Sequence, residues 1–330
     1  MSEIRLLTSS DEHLADLSPG LRKDDYKSAI LRKIEWQGQF ARRFSADAIL
    51  RGGDFFHLKA ANKTTHSTVA LASELHRKFS CPTYAIAGNH DMVYNDPSTI
   101  ARQPLGVMFK SEVFKPMSDA VFQSGSLKVR VIGVEYTTDL DVEGLHDLVR
   151  KRDDDVYTIA FVHALAAMAP AEKIQSFFNE RIFDYRDLVF KGCPDAYVFG
   201  HYHKDQGIVD HMGVKFVNLG AISRGALTFE NLERIPKISS IVCNSQGISI
   251  EEQIVPHADA SEIFDLELKN KRDQERKSLD EFIHKLKQDG GLAADSSLET
   301  RKSSLNSYPD DLKRLALQIL ESAAAGTLEE

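Results

Sequence analysis

The chain has 330 residues, of which 42% are hydrophobic, so it can bury a large core in one large domain or in a large and a small one. Its formal net charge of −8 argues against a uniformly basic surface, although a local basic groove for nucleic acid is compatible with that average. The opening residues contain no long apolar run and lead directly into a polar motif, so we expect neither a signal peptide nor a membrane span.

In the first two thirds of the chain, strand-like and helix-like segments alternate. Apolar residues at helical spacing predict helices at 26–44 and 67–79. Short runs rich in β-branched and aromatic residues predict strands at 4–9, 48–51, 84–87, 128–136, 158–163 and 196–199. Such alternation is typical of a layered α/β protein.

The first predicted helix lies in a basic segment, residues 21–44. Seven basic residues occur there: Arg22, Lys23, Lys27, Arg32, Lys33, Arg42 and Arg43. A solvated helix face and a nucleic-acid-binding face both fit this pattern, and the first is favoured. The apolar residues around 30–40 fit a dimer interface or a face that covers the chain's own core.

From residue 214 onward, strands follow one another with few helices between them. We predict strands at 214–218, 238–244 and 248–255, the last two joined by a hairpin turn at Ser245-Gln246-Gly247. The whole pattern predicts a mixed α/β architecture in which two sheets face each other and helices cover their outer faces. We assign residues 1–256 to this main domain.

After residue 256 the composition becomes charged and helical. Apolar spacing predicts a helix at 278–287, and a serine-rich stretch at 296–307 has the composition of a linker or exposed loop. Pro309 opens a last helix, whose apolar stripe runs over 312–319. Residues 257–330 are therefore predicted to form a separate small region.

The cysteine content bears on the compartment. Cys81, Cys193 and Cys243 are odd in number and widely separated, which predicts reduced thiols rather than a disulfide framework. Reduced thiols are typical of proteins that stay inside the cell. We therefore expect a cytoplasmic or nucleoid-associated protein.

Five short polar motifs follow the predicted strands. They are Asp11-Glu12-His13, Gly53-Asp54-Phe55-Phe56-His57, Gly88-Asn89-His90-Asp91, His163 in Phe-Val-His-Ala, and Gly200-His201-Tyr202-His203. Ligands bind at the carboxyl ends of strands in layered α/β proteins, so we expect the motifs to converge on one pocket. An isolated Asp-x-His or His-x-His pair is weak evidence, whereas Gly-Asn-His-Asp rarely serves a core, and the five together predict a functional site.

The donor atoms of these motifs predict a site for two divalent metal ions. Imidazole combined with carboxylate suits manganese and iron at hydrolytic sites, and Asn89 would add a neutral amide oxygen. One ion would be bound by Asp11, His13, Asp54 and His203, and the other by Asp54, Asn89, His163 and His201. Asp54 would thus bridge two ions about 3.5–4 Å apart, a spacing that clamps the attacking and leaving oxygens at phosphorus.

Two neighbouring residues are predicted to support the reaction. His90 directly follows Asn89, so it should face the pocket without binding a metal, and it would stabilise the transition state or protonate the leaving oxygen. Asp91 would hold the His90 ring and fix its tautomer.

At these residues the chain resembles the calcineurin-like metallophosphoesterase superfamily, over about residues 4–222. The resemblance implies a four-layer αββα sandwich with a dinuclear centre, often of manganese. Residues 53–57 are similar to the Gly-Asp-Leu-Phe-His motif of the meiotic recombination eleven / SbcD double-strand-break nucleases, which implies that His57 contacts the scissile phosphate. Residues 218–224 also resemble a family segment, which implies a lesser, substrate-binding role for Arg224.

The resemblance also implies partners. Residues 257–330 are similar to the small α/β capping region of these nucleases, with a strand at 264–268, and such caps orient DNA over the site. The family's nucleases form dimers and usually act with an SMC-like ABC ATPase. The helix at 312–319 would suit docking of that ATPase, or it packs on the chain's own core. The function implied is a manganese-dependent exonuclease and endonuclease in DNA repair and recombination.

Two other functions are compatible with the sequence. A phosphodiesterase or phosphatase that acts on small nucleotides or phosphoproteins fits the acidic net charge and the lack of an obvious basic stripe, whereas His57 and the cap-like tail favour DNA. A metal-free interaction scaffold on the same fold would have lost ligands, and none of the expected ligand positions is lost.

Overall fold

The structure is a computed structural model that describes residues 2–57, 64–168, 180–274 and 277. Contacts between Cα atoms divide the chain into two units, Met1–Phe264 and Asp265–Glu330. The helices predicted at 278–287 and 312–319 and the linker predicted at 296–307 lie outside the described residues.

The first unit contains fourteen described strands. In chain order, those described are β1 (Glu3–Ser9), β2 (Ala48–Arg51), β3 (Thr83–Ala85), β4 (Phe114–Pro116), β5 (Asp119–Ser124), β6 (Leu127–Val134), β7 (Tyr157–Ala164), β8 (Ala166–Ala167), β9 (Phe183–Asp184), β10 (Ala196–His201), β11 (Gly207–His211), β12 (Val214–Asn218), β13 (Lys237–Asn244) and β14 (Gly247–Ile254). They form two six-stranded sheets and the short pair β8–β9.

The two large sheets share a core of four parallel strands, which antiparallel strands extend at one side of the first sheet and at both sides of the second. The first sheet has the order β14-β13-β1-β2-β3-β4, in which β1 to β4 are parallel and β13 joins β1 antiparallel. The second has the order β11-β12-β10-β7-β6-β5, in which β12, β10, β7 and β6 are parallel. Within each sheet the parallel strands bring their carboxyl ends to the same edge. This arrangement is the one that the predicted convergence of the five motifs needs.

Helices flank both sheets. They are α1 (Tyr26–Phe44), α2 (His66–His76), α3 (Pro104–Lys110), α4 (Val142–Val149), α5 (Phe229–Glu233) and α6 (Ala260–Ile263), with 3₁₀ turns at Pro97–Arg102 and Tyr185–Leu188. Helix α1 begins where the Asp25 side chain accepts a hydrogen bond from the Ser28 backbone N–H, and it ends at Ser45 in the left-handed conformation. Among the described residues, we find no helix with the length and apolarity needed to cross a bilayer.

Three layers of apolar packing join these elements. Residues such as Leu6, Leu50, Val131 and Phe161 fill the space between the two sheets. Helices α1, α2 and α3 cover the outer face of the first sheet, and α4 with the turn at Tyr185–Leu188 covers that of the second. The predicted four-layer αββα sandwich is therefore confirmed.

The apolar face of α1 is used inside the chain. Ile30 and Ile34 are fully buried in the cluster beneath the helix, and Phe40 packs at the edge of a neighbouring cluster. Of the two predicted roles for residues 30–40, the structure therefore shows packing on the chain's own core.

Some short elements differ from the predictions. The edge strands β4, β5 and β11 were not predicted, because short, half-exposed strands lack a continuous apolar run. The strand predicted at 264–268 is wrong: Phe264 forms a single bridge with Arg22, and residues 266–274 are helical. The Asp265 carboxylate accepts from the Leu268 backbone N–H at 2.9 Å, which caps a helix at this point.

Candidate metal centre

The five motifs lie at the carboxyl ends of neighbouring parallel strands. The first three follow β1, β2 and β3 in the first sheet, and the other two lie at the ends of β7 and β10 in the second. The backbone N–H of His201 donates to both carboxylate oxygens of Asp11, at 3.1 and 3.2 Å. This contact joins the two sheets directly at the site.

Several of the predicted ligands have an unusual backbone conformation. Asp11, His13, Asp54 and His201 all have positive φ angles, between 48° and 84°. For residues other than glycine this conformation costs on the order of 1–3 kcal/mol each, and it concentrates at functional sites. The strain is offset where backbone N–H groups of Asp11 and His13 donate to the carbonyls of Gly53 and Asp54, at 3.1 and 2.9 Å.

Two glycines allow the loops to approach each other closely. A Cβ atom at Gly88 would collide with the Asp54 carboxylate, and one at Gly200 would collide with Ser10 and the Gly52 carbonyl. Gly88 and Gly200 are therefore required because the neighbouring loops leave no room for a side chain.

The first group of candidate ligands is compact. Donor atoms of Asp11, His13, Asp54 and His203 all lie within 4.8 Å of one another. His13 Nε2 is 3.7 Å from Asp54 Oδ2, and His203 Nε2 is 3.5 Å from Asp11 Oδ1. The four residues predicted to bind one metal ion are thus brought together.

The second group shares Asp54 with the first. Donor atoms of Asp54, His163 and His201 also lie within 4.8 Å of one another. Asn89 is buried in the turn that wraps Asp54, where the His90 backbone N–H donates to Asp54 Oδ1 at 2.7 Å. Asp54 is therefore the residue common to both groups, as the bridging role requires.

His163 shows that the donor set fits a cation. Its Nδ1 donates to the Gly52 carbonyl at 2.7 Å, which leaves Nε2 directed at Asp54. Nε2 is buried and lies 3.5 Å from Asp54 Oδ2. Two potential acceptors that face each other in a buried site need a positive charge between them, which a proton on Nε2 supplies in the metal-free chain and a metal ion would supply when bound.

Burial and neighbouring charges together shift the pKa values of the candidate ligands. Burial opposes charge on Asp54, but the neighbouring His163 outweighs it and lowers the Asp54 pKa well below its usual range. Burial also opposes charge on His163, but Asp54 prevails and raises the pKa of His163 to about 9. For His13 burial prevails and lowers the pKa to about 3, so this ring is held in the neutral form that binds metals.

His57 and His90 lie together beside the first group. Their rings stack at 4.4 Å between centroids, and His57 Nδ1 is 3.2 Å from His13 Nδ1. Both line a cavity of about 370 Å³ that His13 and His203 also border. The two histidines predicted to act on the substrate therefore face the space beside the candidate metal ligands.

Asp91 differs from its predicted role. Its two carboxylate oxygens accept the backbone N–H groups of Phe55, Phe56 and Gly88, at 2.9–3.2 Å. Burial, followed by the charge of Asp54, raises the pKa of Asp91 to about 8. Asp91 therefore fixes the turn that carries the ligands and not the His90 ring.

Arg224 has several partners within the fold. The guanidinium is buried, and its nitrogens donate to the carbonyls of Asn231, Ala258 and Leu232 at 2.8–3.1 Å. It stacks over the Phe264 ring at 5.8 Å. These contacts tie residues 231–264 to the sandwich, and the substrate-binding role of Arg224 stays a prediction.

Glu180 lies beside the second group of ligands and was not predicted from the sequence. Its carboxylate lies 2.8 Å from His201 Nε2, where it accepts the ring N–H and leaves Nδ1 as the ring's acceptor. Glu180 belongs to none of the motifs and follows no predicted strand, so no local pattern indicated it.

One family model matches the sequence, and several solved structures show low similarity to the chain. A sequence model described as calcineurin-like phosphoesterase matches residues 4–205. An archaeal phosphodiesterase structure is 12% identical, with 76% of this chain and 100% of that chain covered and a TM-score of 0.37. A purple acid phosphatase from yellow lupin (Lupinus luteus) is 12% identical, with 78% and 53% covered and a TM-score of 0.47. None of the curated proteins searched matches the sequence.

Proposed function

We propose that the chain acts as a nuclease on the phosphodiester bonds of DNA. The chain belongs to the calcineurin-like phosphoesterase family, and it is a metal-dependent phosphoester hydrolase. The observation that carries the nuclease proposal is the position of His57. This histidine lies beyond the candidate ligands, stacked on His90 and facing the same cavity. A second imidazole at this position suits a diester, whose two non-bridging oxygens both need hydrogen-bond donors.

The chain holds two divalent metal ions by this proposal, through Asp11, His13, Asp54, Asn89, His163, His201 and His203. When bound, the ions supply Lewis acidity, which lowers the pKa of water and neutralises charge on phosphate oxygens. Manganese suits the mixed imidazole and carboxylate donors. Asp54 would be a ligand to both ions, and the contact between the His201 backbone N–H and the Asp11 carboxylate keeps the two halves of the site in register.

His90 and His57 act on the substrate in this scheme. The backbone N–H of His90 contacts Asp54 and its side chain lines the cavity, so His90 would donate a proton to the leaving oxygen. The His57 ring lies against His13 and His90, so its N–H stabilises negative charge on a phosphate oxygen.

A specific observation favours a second candidate function, hydrolysis of a small phosphodiester. Among the described residues, no lysine or arginine lines the 370 Å³ cavity beside the histidines. Its other walls include Ala15, Leu17 and Pro19, with the Asn231 amide at one side. Apolar walls with few polar groups suit a compact leaving group such as a nucleoside. Proteins that bind duplex DNA usually contact its phosphates through basic side chains, which this cavity wall does not supply among the described residues.

We also propose an ATPase partner and a homodimer, both of which depend on DNA being the substrate. An SMC-like ABC ATPase would supply DNA handling, and a homodimer would present two nuclease sites to one DNA. Residues 257–330 would carry the capping and docking elements of such a complex.

The deciding experiment incubates the purified chain and a His90→Ala variant with Mn²⁺ and two substrates, linear duplex DNA and bis-p-nitrophenyl phosphate. Hydrolysis of both, lost in the variant by about 10²–10⁴-fold, supports the nuclease and the role of His90. A matched His57→Ala variant should lose activity on both substrates, because each is a phosphodiester whose non-bridging oxygens the ring would contact. Cleavage of the ester alone, unchanged by addition of the ATPase partner, would overturn the nuclease in favour of the small-diester enzyme.

A further inference from the structure

A second cavity of about 310 Å³ lies against the amino-terminal half of α1. Five cationic or titratable side chains line it: Arg22, Arg32, Lys33, Arg224 and His257. Among the described residues, no carboxylate lines it. The basic segment of α1 therefore has a concave face, which the favoured interpretation as a simple solvated helix did not predict.

The cations of this cavity are built into the fold. Lys33 is 8% exposed, and its Nζ donates to the Ile222 carbonyl at 2.7 Å. Arg224 is likewise buried and donates only to carbonyls in its three hydrogen bonds. Carbonyl partners orient these groups without neutralising their charge. Arg32 is exposed at the rim, where it can turn toward a ligand.

The nearby carboxylates do not balance this charge. Asp24 forms an ion pair with Arg22 at 2.7 Å, while Asp25 acts on Arg32 and Asp259 acts on Arg224 from outside the lining. Four basic side chains thus stand against three acidic ones. Burial, followed by the positive charges of Arg22 and Arg224, lowers the pKa of Lys33 to about 7, which reflects the same excess.

We propose that this cavity is a phosphate-binding site, separate from the metal centre. Guanidinium and ammonium groups arranged around a concave space match the oxygens of a phosphate, which accepts charge-assisted hydrogen bonds from several directions. The ligand is a phosphate group, either on a free phosphate or phosphomonoester, or in the backbone of a nucleic acid. The second source rests on the proposed nuclease function.

One short segment joins the cavity to the metal centre. Lys33 holds the Ile222 carbonyl, while the backbone N–H groups of Ile222 and Ser223 donate to the carbonyls of Ser10 and Asp11, at 3.2 and 3.3 Å. A phosphate that draws Lys33 away from Ile222 would therefore act on the loop that carries the first candidate ligands.

Calorimetric titration of inorganic phosphate tests the site. The full chain is used in a chelating buffer, in which the carboxylates of the metal centre repel the anion. We expect one binding site per chain. Its dissociation constant should rise roughly tenfold in Arg32→Gln and in Lys33→Met, the loss expected for one charge-assisted hydrogen bond. Arg32 is exposed, so its substitution leaves folding intact.

Arg102→Gln is the matched control, because Arg102 is an exposed arginine far along the chain on a 3₁₀ turn. Phosphate affinity should be unchanged in this variant. Absence of binding to the unaltered chain, or equal weakening in Arg32→Gln and Arg102→Gln, would overturn the site.

Two further assays on Arg32→Gln distinguish the sources of phosphate. A KM for DNA that rises while hydrolysis of bis-p-nitrophenyl phosphate is unchanged identifies a backbone phosphate. Unchanged kinetics on both substrates, with phosphate binding lost, identifies a free phosphate ligand. Failure of the nuclease proposal is seen separately, as intact DNA with the unaltered chain.

Discussion

Residues 11–13 contribute to two buried clusters of charged and titratable side chains, which differ in how their charges are balanced. Glu12 belongs to a cluster around Arg51, whereas Asp11 and His13 belong to the candidate metal centre. Glu12 forms a fully buried ion pair with Arg51, whose guanidinium also donates to Gln37 Oε1 at 3.1 Å. The other end of the same guanidinium donates to His76 Nε2 at 2.8 Å. Every formal charge in this cluster has its counter-charge beside it.

The metal centre holds the neighbours of Glu12 on the same segment, but without a permanent cation such as Arg51. Asp11 and Asp54 are surrounded by imidazoles, whose positive charge is lost as the pH rises, as on His163, or is suppressed by burial, as on His13. The difference teaches how to distinguish a structural cluster from a ligand site. A cluster that contains its own counter-ions stabilises the fold, whereas one in which acceptors converge requires a cation from outside.

Replacement of the shared carboxylate should have the largest effect. Asp54→Asn removes a charge from both groups of ligands, so we expect activity to fall on the order of 10³-fold and metal content to drop to one ion per chain or less. Activity on bis-p-nitrophenyl phosphate and metal analysis by mass spectrometry check this. The metal-free variant should melt lower than the metal-free parent, because it loses the charge pair between Asp54 and His163.

Breaking the self-neutralised cluster should act on stability. Arg51→Met leaves the Glu12 carboxylate buried without its partner, which we expect to lower the free energy of unfolding by about 3–5 kcal/mol. Urea denaturation followed by circular dichroism measures the loss. A double variant, Glu12→Leu with Arg51→Met, should recover most of it; a double variant as unstable as the single one would show that the pair is not the source of the effect.

Glu180 tests whether an outer carboxylate orients a ligand. Glu180→Ala frees the His201 ring, so we expect Mn²⁺ affinity to fall about 10–100-fold with little change in melting temperature. Isothermal titration with Mn²⁺ measures the affinity, and Glu251→Ala, an exposed glutamate on β14, is the control. Equal affinities in both variants would remove Glu180 from the site.

The smallest expected effect is a pH dependence in the metal-free chain. The folded-state pKa of His163, about 9, lies above its unfolded value of about 6.5. Its contribution to stability is therefore complete below about pH 6.5 and is lost as the pH rises through 9. Melting temperatures of the chelator-treated chain should fall over this range.

Two comparisons check the cause of that pH dependence. The His163→Gln variant should show a smaller fall in melting temperature, since it lacks the titrating ring. Saturating Mn²⁺ should remove the fall in the unaltered chain, because metal binding takes the neutral ring. A melting temperature that rises with pH in the metal-free chain would contradict the assignment to His163.

The sequence by itself determined the sandwich and the groups of candidate ligands. Asp11, Asp54 and His163 stand within a few residues of strand ends, and parallel strands bring their ends to one edge. The period of the apolar residues gave the strands and helices, and the motif spacing gave the donors. Both signals are local, so a single sequence carries them.

The tertiary structure alone decided which other polar groups serve the site. Glu180 reaches His201, Asp91 binds the turn at Phe55, and Lys33 reaches Ile222, all across separations of 21 residues or more. Arg224 donates hydrogen bonds to three backbone carbonyls that no motif predicts. Such roles depend on the path of loops and on burial, which local spacing does not encode, because the same residue types occur equally on a solvated surface.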